Sequence, residues 1–269
     1  AHDRARRPLV ASSVRDILVA KEDPAKEAWM AETARRWFDL VLVHGDPALI
    51  PFDATFPPAA GLADLIRYTG YVVPPPRSVA GNLSEGTGEV IVSTGGGVVG
   101  AELLRAALAA RPLCGLAEAP WRFLLGPDLP AAVAAELHAA AGPGIVVEPA
   151  RPDFPALLAH CRLSISQAGY NTAMDVLAAG CRAILAPFEA DGETEQAVRA
   201  GLLAARGLVQ SIPAARLDGP TLAAAVDAAI ETSPPPLSDL RRDGAAATAR
   251  LLKEALQTRM AKDGGTDDH

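Results

Sequence analysis

Polar residues able to hold an anionic, hydroxyl-rich ligand gather in two stretches of this sequence. The first is Ser93-Thr94-Gly95-Gly96-Gly97-Val98-Val99-Gly100, between an apolar run and an Ala/Leu-rich segment. Glycines let a backbone approach a ligand closely. A helix starting there would offer free N–H groups and the positive end of its dipole to a phosphate or diphosphate. The second runs from Leu163 to Gln196. In it Ser166, Gln167, Asn171, Thr172, Asp175, Glu195 and Gln196 fall at expected strand ends and helix starts, with Gly169 at the bend of a turn. Ligands of open α/β sheets bind at those ends. A carboxylate at Asp175 could accept hydrogen bonds from two vicinal hydroxyls, as a ribose offers. Glu195 and the Gln196 amide could bracket the hydroxyls of a sugar.

Each feature also has a plainer reading. Thr172-Ala173-Met174-Asp175 fits a capping box, in which each side chain satisfies a backbone donor. Glu195 in a first helical turn complements the helix dipole. The glycine run could be a tight turn with no ligand. Gly95, Gly97 and Gly100 match GxGxxG, but a dinucleotide site wants an acid about 20 residues on, at the end of the next strand. The nearest, Asp128, comes several residues late. No GxxxxGK, GxSxG, HExxH or Cys/His metal spacing occurs, so no triphosphate P-loop, cofactor or metal site is expected. His44, at the end of a short apolar run, could face a ligand or be structural. His138 and His160 lie on helical segments and read as structural.

The elements that must place these groups alternate regularly from Glu89 onward. Strands are expected at Val90–Ser93, Arg122–Leu125, Ile145–Glu148, Leu163–Ser166, Ala183–Ala186 and Leu208–Ile212. Helices are expected at Ala101–Ala110, Ala131–Ala141, Asp153–Cys161, Thr172–Ala179, after Asp191-Gly192-Glu193, and at Thr221–Ile230 and Leu237–Leu256. Such alternation means right-handed βαβ crossovers and a doubly wound parallel sheet with helices on both faces. Residues 89–260 form this domain and 261–269 a polar tail. Pro74-Pro75-Pro76 and the glycines from Gly81 to Gly88 place a linker at 76–88. Residues 1–75 hold two strands, near Leu9–Ser12 and at Leu40–Val43, and a helix from Asp23-Pro24 to about Trp37. Trp29, Thr33 and Trp37 recur at helical spacing, which reads as an aromatic face against a core. This piece is too poor in strands to match the second domain and reads as the incomplete end of a first α/β domain.

The totals bound the partners. A composition 49% hydrophobic and 21% charged is globular. A net charge of −7 argues against nucleic acid, whose phosphates want a basic face. Three cysteines, Cys114, Cys161 and Cys181, without CxxC read as buried free thiols and point to a reducing cytoplasm. No run approaches the ~20 apolar residues of a membrane span, and no signal peptide is visible.

The order of these motifs resembles the C-terminal, nucleotide-sugar-binding domain of family 28 glycosyltransferases, a GT-B type family that includes the peptidoglycan N-acetylglucosaminyltransferase making lipid II. The residues carrying the resemblance are the Gly-rich turn after the first strand, Ser166-Gln167-Ala168-Gly169-Tyr170-Asn171-Thr172, Asp175, Gly180, Pro187 and Glu195-Gln196. Tyr68-Thr69-Gly70-Tyr71-Val72 resembles the approach to the interdomain linker, and His44-Gly45-Asp46-Pro47 the end of the first domain. The resemblance covers about residues 10–235 and implies hexosyl or N-acetylhexosaminyl transfer from a UDP-sugar, inverting and without a metal. It implies that Thr94, Gly95, Gly96, Gly97 and Val98, with Asn171 and Thr172, hold the donor diphosphate. Gln167 and Gly169 shape the same turn. Asp175 stands where the family has a Glu on the ribose hydroxyls, one methylene longer. Glu195 and Gln196 contact the sugar, and backbone near Val147–Pro149 meets the base. The family's Gly/His-rich acceptor loop and general base have no counterpart here, so the catalytic base is assigned to a missing N-terminal part. The acceptor is unknown, either lipid-linked or small, and a partner chain could supply the acceptor domain. The expected place is the cytoplasm, free or peripheral at the inner face of the membrane. The alternatives are a non-catalytic nucleotide-sugar-binding fragment or subunit, or a hydrolase or epimerase of the same nucleotide sugar.

Overall fold

Short, mostly apolar runs, too short for helices, set the architecture. The computed structural model describes residues 7–18, 23–73, 85–95, 100–189, 194–235 and 241–264. The expected linker is described only from residue 85, and the Asp191–Glu193 turn lies outside the described residues. The chain divides into two units, Ala1–Val73 with Asp239–His269, and Pro74–Ser238.

The second unit carries six parallel strands: β4 (Val90–Ser93), β5 (Trp121–Leu125), β6 (Ile145–Pro149), β7 (Leu163–Ser166), β8 (Ala183–Leu185) and β9 (Gln210–Ser211), in the order β6-β5-β4-β7-β8-β9. The inner strands β4, β5, β7 and β8 are buried at every residue. That is what helices on both faces of a parallel sheet require. The helices are α2 (Ala101–Ala110), α3 (Ala131–Ala140), α4 (Phe154–His160), α5 (Tyr170–Ala179), α6 (Glu195–Ala205) and α7 (Gly219–Glu231). One large core joins Val90, Val92, Phe123, Leu163 and Ile165 to Leu103, Leu104, Ala107, Leu222 and Val226. A smaller one, Ile91, Leu124 and Leu157, lies on the other face. Trp121 anchors the first, fully buried, its indole N–H donating to the Leu116 carbonyl at 2.9 Å.

The first unit holds a three-stranded parallel sheet, β1 (Ala11–Arg15), β2 (Leu40–His44) and β3 (Ile66–Tyr68), in that order. Helix α1 (Pro24–Trp37) connects β1 to β2, and Asp23 caps it by accepting from the Ala25 and Lys26 N–H groups at 3.1 Å. Two expectations are corrected here. The face of α1 in contact with the core is Met30, Ala31 and Ala34, whereas Trp29 and Trp37 are 62% and 38% exposed. Periodicity had located the aromatic stripe but could not say which side faces inward. The last helix, expected at Leu237–Leu256 inside the second domain, is α8 (Gly244–Gly264), and it runs into the segment expected to be tail. It belongs to the first unit. Tyr71 N–H donates to the Arg241 carbonyl (2.8 Å) and Gly244 N–H to the Tyr71 carbonyl (3.1 Å). A Cβ at Gly244 would sit 2.6 Å from the Gly70 oxygen, so only glycine permits this approach. Among the described residues no helix is long and apolar enough to cross a membrane.

Candidate functional site

Counted from β4, the strand order of the second unit is 3-2-1-4-5-6, the doubly wound order whose direction reverses between the first and fourth strands. Here that reversal falls between β4 and β7, which pair directly through Ser93↔Ser166. In folds of this order ligands bind at the C-terminal ends of the two strands that flank the reversal. Both polar stretches found in the sequence begin there.

From β4, Thr94 and Gly95 enter the glycine-rich turn. Thr94 is buried, and its hydroxyl accepts from the Gly126 N–H at 3.3 Å, tying the end of β4 to the end of β5. Ser93 Oγ accepts from the Gly95 N–H at 3.3 Å. Gly96, Gly97 and Val98 lie outside the described residues. The turn ends at Gly100, the N-cap of α2, with φ of 155° and no side-chain cap. A Cβ there would meet the Thr94 Cβ at 2.5 Å, so glycine is required.

From β7, Gln167 is buried and its N–H donates to the Ser93 carbonyl at 3.3 Å, across the switch point. Helix α5 begins at Tyr170 with Gly169 as N-cap, again without a side-chain cap. Thr172 is therefore the third residue of the helix rather than its cap, and the capping-box geometry with Asp175 does not form. Asn171 is exposed and Thr172 half-buried. A Cβ on Gly95 would lie 3.4 Å from Thr172 Oγ1, so the turn after β4 runs beside the start of α5. Asp175 is half-buried, with no hydrogen bond or ion pair to a described residue. Burial alone pushes its pKa up to about 6. Ser166 Oγ is buried and has no hydrogen-bond partner among the described residues.

Glu195 and Gln196 open α6, and protein groups engage both. Gln196 Oε1 accepts from the Ala168 N–H (3.0 Å) and from the Phe188 N–H (3.2 Å), fastening the β7–α5 turn to the segment after β8. Glu195 pairs with Arg199 Nη2 at 2.7 Å. Arg199, which sequence reasoning missed, is fully buried. It donates to the Ala168 carbonyl at 3.1 Å and lies 5.5 Å from the Tyr170 ring. The available signal was Glu195 four residues before it, the spacing of a helical ion pair. Val147–Pro149 forms the end of β6, two strands from β4, where Glu148 pairs with Arg122 (2.7 Å) and Arg151 (3.3 Å).

His44 ends β2 in the first unit. The Thr69 hydroxyl gives its proton to the Gly70 carbonyl (2.7 Å), so it accepts from His44 Nδ1 (2.9 Å). Nε2 then accepts from the Ser13 hydroxyl at 2.6 Å. Burial lowers the His44 pKa, so the ring is neutral in this chain of hydrogen bonds.

These features define a class: a Rossmann-like doubly wound domain of the kind that forms the C-terminal half of GT-B glycosyltransferases. The sequence profile of the glycosyltransferase family 28 C-terminal domain matches residues 90–254, and the chain belongs to that family. Among solved structures, the glycosyltransferase of kitacinnamycin superposes with a TM-score of 0.61 at 19% identity, over 88% of this chain and 64% of that one. CalG4, the calicheamicin glycosyltransferase, gives 0.57 at 20%, over 90% of this chain and 57% of that one. UGT89C1 of Arabidopsis thaliana, solved in complex with UDP, gives 0.60 at 15%, over 91% and 67%. At these identities the likeness is one of fold. The chain spans less than two thirds of the length of the first two.

Proposed function

We propose that the second unit is the donor-binding half of a glycosyltransferase that moves a hexosyl or N-acetylhexosaminyl group from a UDP-sugar. The observation that carries this reading is the meeting, at one switch point, of two glycine-capped helix starts and an unpartnered, half-buried carboxylate. The starts of α2 and α5 have no side-chain cap. Backbone N–H groups and dipoles at such helix starts suit a diphosphate. Thr94, Gly95, Gly96, Gly97 and Val98 would cradle it from one side, Gly169, Asn171 and Thr172 from the other. Asp175 lies five residues into α5, about 7 Å along the axis from its first residue. That offset supports a role for its carboxylate at the ribose end of the same ligand, accepting from the vicinal hydroxyls. Gln196 and Glu195 border the sugar and brace the turn. UGT89C1, of like fold, was solved with UDP.

In this reading an acceptor hydroxyl attacks the anomeric carbon from the face opposite the diphosphate, so the configuration inverts. Negative charge gathers on the leaving diphosphate, and the backbone N–H groups and helix dipoles stabilise it in place of a metal. A base removes the acceptor proton. That base and the acceptor site belong to the other half of the enzyme, whether in the same polypeptide or in a partner chain. A second reading, nucleotide-sugar binding without turnover, draws on the first unit having three described strands against six in the second.

Calorimetric titration of the chain with UDP tests the donor site. Saturable one-to-one binding is expected, and a flat titration overturns the reading. Incubation with labelled UDP-GlcNAc and candidate acceptors then separates the chemistries: transferred sugar, free sugar, epimer, or unchanged donor.

A further inference from the structure

Two of the three cysteines are brought together by the pairing of β7 with β8. The register Ser164↔Ala183 and the bond from Ser164 N–H to the Arg182 carbonyl (2.9 Å) hold the two chains side by side just beyond residues 162 and 181. Cys161 is one residue further along the first chain, at the C-cap of α4. Strand spacing with a one-residue offset gives a Cα separation of about 6 Å, inside the range of about 4.4–6.8 Å that a disulfide spans. The Cys181 thiol lies near enough to Cys161 to push the Cys161 pKa up. Cys181 Sγ in turn lies 4.0 Å from the Val176 carbonyl it faces. Both are reduced, Cys181 buried and Cys161 half-buried, so a small oxidant reaches Cys161 first. Cys114 is in the other core cluster, among the residues packed on α2 and α7.

We propose that Cys161 and Cys181 form a site of reversible thiol oxidation, closing to a disulfide that staples the base of the element carrying the donor site. The closed loop contains all of β7, the Gln167–Gly169 turn and all of α5, with Asn171, Thr172 and Asp175. With hydrogen peroxide, Cys161 sulfur attacks one peroxide oxygen and a water leaves, giving a sulfenic acid. Cys181 sulfur then attacks Cys161 sulfur, the S–S bond forms, and the second water leaves. Two thiols lose two electrons and two protons, and one peroxide becomes two waters. The contact with Cys181 and burial hold the Cys161 thiol far above the usual range, so it is protonated at neutral pH. Thiolates are the reactive form, so the reaction answers to sustained oxidant rather than to a trace.

The test treats the folded full chain with diamide, which takes two hydrogens from a thiol pair and becomes the hydrazine, then blocks remaining thiols in denaturant. Trypsin cuts after Arg162 and Arg182, placing the two cysteines on separate peptides. The expected result is a monomer 2 Da lighter than the reduced chain, one thiol left to alkylate, and a linked peptide pair that dithiothreitol separates. Cys114→Ser leaves the link in place, and Cys161→Ser or Cys181→Ser abolishes it. Three alkylatable thiols after oxidation, a link to Cys114, an intermolecular link, or a lone sulfinic acid at Cys161 would each overturn the proposal.

Discussion

Asp175→Asn should make the protein more stable and a poorer binder of UDP. The carboxylate is half-buried and has no partner among the described residues, and burial moves its pKa from an ordinary 3.8 to about 6. At about 1.4 kcal/mol per unit the shift corresponds to roughly 3 kcal/mol. The side chain still meets solvent, which screens the cost to about 1–2 kcal/mol. Because the folded pKa lies above the unfolded one, the favourable contribution of Asp175 is complete below about pH 4 and is lost as pH rises through 6. Asparagine has nearly the same shape and no charge. Its gain should therefore be near zero at pH 4 and about 1–2 kcal/mol at pH 7.5, a rise in Tm of about 3–6 °C. The UDP affinity should move the other way, weakening tenfold to a hundredfold for the loss of a charge-assisted bond of about 1.5–3 kcal/mol. Wild-type affinity should also fall as pH drops through 6, towards that of the variant. Thermal melts at both pH values and calorimetric titrations check both halves. A variant that melts lower at pH 7.5 and binds UDP unchanged would refute the assignment of Asp175 to the ligand.

Gln196→Ala removes the acceptor of two backbone N–H groups, Ala168 and Phe188. It should cost about 1–3 kcal/mol, with hydrogen exchange accelerating most at those two amides. Arg122→Met strands Glu89 and Glu148 around a buried position and should cost about 3–5 kcal/mol in urea unfolding at pH 7. Burial by itself would raise the Glu89 pKa, but the hydrogen bonds from Arg122 hold it below the ordinary 4.5. The stability from this carboxylate is thus present above pH 4.5 and lost as pH falls through the lowered value, a loss the variant should not show. Gly169→Asp places a carboxylate at the N-cap of α5, where a Cβ meets nothing within 4 Å. It should raise stability by about 0.5–1 kcal/mol and weaken UDP at least tenfold by occupying the donors with a negative charge.

The sheets were legible because their inner strands are mostly apolar: Leu-Val-Leu-Val in β2 and Val-Ile-Val in β4 admit few other readings. The two polar stretches were legible as strand-to-helix turns because glycine and small polar residues stood between apolar runs and helical segments. Less legible was anything set by what lies far away in sequence. The Trp29–Trp37 stripe and the Met30–Ala34 stripe sit on one helix at the same period, and only the packing of Phe52, Phe56 and Leu62 decides that the second faces inward. The allegiance of α8 rests on backbone bonds from Tyr71 to Arg241 and to Gly244, far away in sequence, with no local signal beyond a glycine. Gln196 shows the limit for polar residues. The same amide at the same helix start serves a ligand or the scaffold, and three-dimensional contact alone shows its oxygen committed to two N–H groups.

That commitment bears on how such a site can work. A free helix start is a good anion site only if its own neighbours do not satisfy it first. In this unit polar side chains beside the two helix starts are put to other work. Thr94 holds Gly126, Gln196 holds Ala168 and Phe188, and Arg199 holds the Ala168 carbonyl. The N-cap positions themselves are Gly100 and Gly169, which have no side chain to offer. These contacts hold the ends of β4 and β7 in place, and no side chain caps either helix start. Fixing the loops in advance matters because donors already in place need no reorganisation when charge develops on a leaving group. The same logic extends to Asp175. A carboxylate with no partner among the described residues and a raised pKa is a cost to the folded chain, which, under the proposed function, a ligand bringing hydroxyl donors would remove. The scaffold contacts and the unsatisfied groups are thus two parts of one arrangement, in which local stability is given up where a ligand can restore it.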